Sequence, residues 1–145
     1  MDIGIPYLLS ILNDQLSDLE ASLEVNLRRN DPITWDLVMK PIYSITERLR
    51  WSWSVVCHLN SVCNSPELRD AHARQQPEVI RFNNRLGQSH VIHRSLCQLQ
   101  KLSSESLNPT QIRIIESELL SMSQRGVGLN TDEKQNFNID SERLA

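Results

Sequence analysis

Residues 9–23 read LSILNDQLSDLEASL, and the fold class follows from where the leucines fall. Leu9, Leu12, Leu16, Leu19 and Leu23 recur at alternating spacings of three and four, which places them on one face of an α-helix. Pro6 is a favoured first-turn residue, so the helix is expected to begin near it, and Asn30-Asp31-Pro32 should end it. Downstream, Thr34 is a candidate cap for a second helix running to about Val62. Pro41 lacks an amide donor and crowds the Leu37 carbonyl, so a kink or a boundary is expected there. Past it, Ile42, Ile45, Leu49, Trp53, Val56 and Leu59 form a second apolar stripe.

The same punctuation continues to the end of the chain. Ser65-Pro66-Glu67 supplies a capping serine, a first-turn proline and a carboxylate at the positive end of a third helix, which reaches Gly87 with a second kink site at Pro77. A fourth helix is expected over 88–102, starting at Gln88, with Val91, Ile92, Leu96 and Leu99 inward, followed by a polar loop over 103–106. Asn108 and Gln111 are spaced as a capping box for a fifth helix carrying Ile112, Ile115, Leu119 and Met122 and stopping at Gly126. Asn130-Thr131-Asp132-Glu133 opens a sixth, with Phe137 and Leu144 one heptad apart. Only 4 glycines are present and no segment alternates in the manner of a strand, so the reading is all-α, about six helices in antiparallel hairpins.

The totals bound the function. A chain of 145 residues is one domain, with a core of moderate size. The 15 basic and 18 acidic residues are mixed along it without a like-charge run, which argues against nucleic acid as a partner. Residues 3–12 are apolar but broken by Gly4, Pro6 and Ser10 and lack the pattern of a signal peptide. No stretch approaches the roughly 20 apolar residues of a membrane helix. The expected address is therefore the cytoplasm, or an organelle if a presequence has been lost. Cys57, Cys63 and Cys97 are an odd number without a C-x-x-C pair, which suits reduced thiols.

Few residues invite chemistry. His90, His93 and Cys97 lie along one helix face and are the candidate metal ligands, set against a plainer reading as rim histidines and a small core thiol. No second ligand pair accompanies them, and the plainer reading is preferred. Cys57 and His58 point about 100° apart on a helix, so they do not form a thiol–imidazole pair, and Cys63 near them adds none. His72 reads as a solvated helix residue. Trp51 must leave the stripe that Trp53 joins and is expected to pack on a neighbouring helix. Residues 125–129, RGVGL, follow a helix instead of linking a strand to one, so they read as a terminating turn and not a phosphate loop. Glu116 and Glu118 define no acid/base pair. Catalytic and cofactor-binding residues are thus expected to be absent.

Residues 53–62, WSVVCHLNSV, and 65–72, SPELRDAH, resemble the N-terminal helical region of the thimet oligopeptidase and oligopeptidase A family of zinc peptidases. Further matches are Gln76-Pro77, Arg85-Leu86-Gly87-Gln88-Ser89, Leu107 to Gln111 leading into Glu116, and Ser123 to Leu129 before Glu133-Lys134, in order over about residues 32–144. The resemblance implies a zinc endopeptidase that cuts short peptides in a channel between two mostly helical halves, with this region in the N-terminal half. It also implies a His-Glu-x-x-His helix, a further zinc-binding Glu, and later His and Tyr residues. None is here: His58, His72, His90 and His93 are followed by Leu, Ala, Val and Arg.

The resulting expectation is a channel-wall segment of a longer zinc metallopeptidase, a truncated product or fragment that is not catalytic alone. Its partners would be the missing C-terminal catalytic domain and, in the full-length enzyme, short peptides; zinc belongs to that full-length form. Two rivals stand beside it: a stand-alone helical interaction module, and a small metal-binding protein using His90, His93 and Cys97. Truncation further implies marginal stability and self-association, because stripes such as Leu12, Leu16, Leu19 and Leu23 would lack part of their cover.

Overall fold

Asn30 ends the first helix in the left-handed conformation, at φ 57°. Its N–H reaches Leu27 O and the next N–H, from Asp31, reaches Asn26 O at 2.9 Å, so the last carbonyls are satisfied by a Schellman turn. The structure is a computed structural model and describes residues 4–63, 65–102 and 106–144. Most of the expected polar loop, residues 103–105, lies outside them. Six helices are present among the described residues: α1 (Ile5–Arg29), α2 (Trp35–Val62), α3 (Pro66–Gly87), α4 (His90–Leu102), α5 (Pro109–Gln124) and α6 (Thr131–Arg143). No described helix is long and apolar enough to cross a membrane.

The all-α reading holds, with α1 at the centre. It packs on α2, α3 and α4, and its predicted leucines are all buried together with Ile5. Leu12, Leu16 and Leu23 are at most 1% exposed, so the expectation that this stripe lacks cover is wrong: three helices of the same chain already enclose it. Each such side chain contributes about 1.5–3 kcal/mol over its exposed state. Polar clamps fix the register. Arg85 of α3 donates to Asn13 O at 3.1 Å and to Ser17 Oγ at 2.7 Å, and Ser89 Oγ donates to Glu20 Oε1 at 2.6 Å.

Pro41 and Pro77 lie inside α2 and α3, and neither helix ends there. An interior proline costs about 3 kcal/mol. Around Pro41, however, Val38, Met39, Ile42 and Ile45 are all buried, and at the magnitude above these four outweigh the lost bond. The second stripe is inward only as far as Val56: Leu59 is 41% exposed, and Val62 beyond it is 62% exposed. Trp51 is 72% exposed instead of packing on a neighbour.

The predicted caps at Thr34, Ser65, Asn108 and Asn130 are all made, the last two as complete capping boxes. The fourth helix starts at His90 and not at Gln88, because Ser89 Oγ accepts from Ile92 N–H at 3.4 Å and so caps it. Consecutive helices α1 and α2, α2 and α3, and α4 and α5 pack on each other. In contrast, α5 returns to α3, and the backbone of α6 rests on α3.

Candidate functional site

Tyr43, Thr46, Arg50 and Trp53 fall at helical spacing on one face of α2, and Glu118, Ser121 and Met122 of α5 do the same with Arg125 at its C-terminal cap. These two faces do not pack on each other. They form the walls of a groove of about 810 Å³ whose floor is Val79 and Leu86 of α3 with Ile92 and Leu96 of α4. Glu118 is half-buried in the α5 wall. Burial pushes its carboxyl above the ordinary range, and Arg125 offsets part of that rise. Burial also raises the Tyr43 hydroxyl, helped by the negative charge of Glu118 across the groove.

Arg125 is set in place by its neighbours. Gly126, at φ 81°, makes the left-handed turn after α5, where Val127 N–H reaches Met122 O at 3.1 Å. The Arg125 carbonyl accepts from Gln88 Nε2 at 2.9 Å, and its side-chain stem lies so close to Gly87 that a Cβ there would meet Arg125 Cδ. The RGVGL segment is thus a terminating turn, as its sequence context indicates. The sequence offers Glu118 only as a scattered carboxylate and Arg125 only as part of a turn; their significance lies in burial within a groove assembled from four helices.

The candidate metal ligands separate. His93 and Cys97 are adjacent, Sγ to Nδ1 3.9 Å, beside a shallow hollow that also borders Leu27 and Lys101. His90 is engaged elsewhere, with Lys134 Nζ of α6 donating to its Nε2 at 2.8 Å. Among the described residues, no three His, Cys, Asp or Glu side chains gather as a metal would need. The described residues therefore do not fit the zinc that the resemblance implies.

A different thiol–imidazole contact does form. Cys57 Sγ lies 3.5 Å from His72 Nε2, and the His72 ring stacks on Trp53 with centroids 4.8 Å apart. His72 is thus half-buried at the α2–α3 joint, not a solvated residue, while His58 is exposed. Burial raises the Cys57 thiol, which keeps it protonated and poorly nucleophilic at neutral pH. The contact joins two helices.

A family model, the N-terminal domain of neurolysin/thimet oligopeptidase, matches residues 5–134. The chain belongs to that family. An organellar (chloroplastic/mitochondrial) oligopeptidase A of Arabidopsis thaliana is 32% identical over 97% of this chain and 17% of its own length. A probable cytosolic oligopeptidase A of the same plant is 32% identical over 89% of this chain and 18% of its own. Oligopeptidase A of Escherichia coli is 28% identical over 90% and 19%. The chain thus spans less than a fifth of each of these oligopeptidases. Within this oligopeptidase-family domain, the motifs that carried the resemblance are joints: Arg85 clamps α1, Gly87 admits the Arg125 stem, Gln88 holds the Arg125 carbonyl, and Ser89 caps α4.

Proposed function

We propose that this chain forms one helical wall of the peptide compartment in an oligopeptidase A-like zinc metalloendopeptidase that degrades short peptides. It is not catalytic by itself. The observation that carries the reading is the match to an N-terminal domain over residues 5–134, in a chain where no histidine is followed by glutamate. The wall would limit entry to short peptides, and the water-activating Glu and the zinc would come from a C-terminal catalytic part. The address is the cytosol, as in the name of one relative.

The test is hydrolysis of a quenched fluorescent peptide with zinc, with a chelator control. The purified chain should give no turnover; chelator-sensitive turnover that co-purifies with it overturns the reading. Co-expression with the catalytic remainder of the Escherichia coli oligopeptidase A should give a complex. Zinc retained in stoichiometric amount by the chain alone, and lost in Cys97→Ser, would instead restore the small metal-binding protein.

A second reading has an observation of its own. Trp51, Val55, Leu59 and Val62 leave an apolar stripe on the outer end of α2, each at least 40% exposed. Such a face suits a helical interaction module. Substituting Val55 and Leu59 by Glu should abolish a complex held there and leave the fold intact.

A further inference from the structure

The charges of the α2–α5 groove are placed to be used from outside the chain. Among the described residues, the side chains of Glu118 and Arg125 make no hydrogen bond and no ion pair, although each is half-buried and Arg125 is close enough to influence the Glu118 carboxyl. A half-buried acid and a half-buried base that face one groove without closing on each other are costly to the fold, and a ligand carrying both opposite charges relieves both.

Helix geometry sets the length of that ligand. Seven residues of α-helix rise about 10 Å. An extended peptide spans about 3.3 Å per residue, so a tripeptide covers the same distance. The groove is lined by apolar Leu86, Ile92 and Met122 together with polar Thr46, Ser54, Asn83 and Ser121 and the charged Glu47 and Arg50, and its volume of about 810 Å³ lies within the usual range for small-ligand sites. The stem of Arg125 is ordered by Gly87 and its carbonyl by Gln88, so little side-chain freedom remains to be lost on binding.

We propose that the α2–α5 groove binds short zwitterionic peptides, pairing Glu118 with the free amine and Arg125 with the free carboxylate while apolar side chains lie on Leu86, Ile92 and Met122. The role of the site, holding short peptides along the wall, rests on the proposed function; the binding is a property of this chain alone. Glu118 shares the groove with Tyr43, Glu47 and Arg50 of α2 and with Arg125, and because the amine pairs with the ionised carboxyl, affinity falls as pH is lowered through the raised range of Glu118.

The experiment is calorimetric titration of the purified chain with the tripeptide Leu-Ala-Leu and with its N-acetylated and C-amidated forms. Blocking either end should weaken binding at least tenfold. Glu118→Gln, which keeps the shape of the side chain, should make the chain indifferent to acetylation yet still sensitive to amidation, and Arg125→Gln should do the reverse. Each variant reports its own folding through the sensitivity it retains. No binding of the free tripeptide, or equal binding of all three peptides, overturns the proposal and leaves the wall reading untouched. Failure to form a complex with the catalytic remainder overturns the wall reading and leaves the titration result in place.

Discussion

Helix α1 lays Ile5 and five leucines against three neighbouring helices, whereas α6 buries no residue, rests on α3 and reaches α4 only through a polar side-chain contact. Both are well terminated, α1 by its Schellman turn and α6 by its capping box, so local signals do not explain the contrast. What holds α6 is polar: Arg81 grips Glu142 through two hydrogen bonds of 2.9 and 2.8 Å, Lys134 meets His90, and Asn138 meets Gln88. Burial of apolar surface is insensitive to salt and to moderate changes of pH. Exposed ion pairs are sensitive to both.

The largest effect should come from the core. Leu16→Ala, at a position that is 0% exposed, is expected to cost about 2–5 kcal/mol in denaturant unfolding. A loss no greater than at a surface site would break the contrast by removing α1 from the centre of the fold. Next comes the joint between α3 and the turn after α5. Gly87→Ala gains about 1 kcal/mol of helix propensity, but its Cβ must displace the Arg125 stem, an overpacking cost of about 1–3 kcal/mol. The net expectation is a loss of about 1 kcal/mol, and a more stable protein would show that Arg125 moves aside freely.

The smallest global effect belongs to α6. Arg81→Ala should change overall stability by less than about 1 kcal/mol, because the pair is partly exposed, while amide exchange over residues 131–143 speeds up. The hydrogen bonds from Arg81 hold the Glu142 carboxyl below the ordinary carboxylate range. Its contribution is therefore present above the unfolded carboxylate pKa and disappears as pH falls through the depressed folded value. Protection of α6 should decay over that acidic window in the wild type and be flat in Arg81→Ala. An unchanged exchange profile would mean that something other than charge holds the helix.

Much of this was legible in the sequence wherever the cause is local. The spacing of Leu9 to Leu23 marks a buried face, and Asn108 with Gln111 marks a helix start, because both depend on residues within one or two turns. The misreadings arise where distant segments decide. Pro41 reads as a breaker until packing on both sides of it is counted, and Leu59 reads as inward although it is 41% exposed. His72 reads as solvated, yet it meets Cys57, 15 residues away on another helix. Glu118 has no sequence signature, since its perturbation comes from the groove that four helices build around it.

Gln88 makes one amide serve two corners at once, donating to Arg125 O and to Asn138 Oδ1 across separations of 37 and 50 residues. Contacts of such separation form only after the intervening loops have closed, whereas α1 and α2 are joined by a short link and can pair early. A clasp made late contributes little to the rate of folding and much to the rate of coming apart. Whatever this polar corner contributes to stability is therefore expected in the unfolding rate more than in the folding rate.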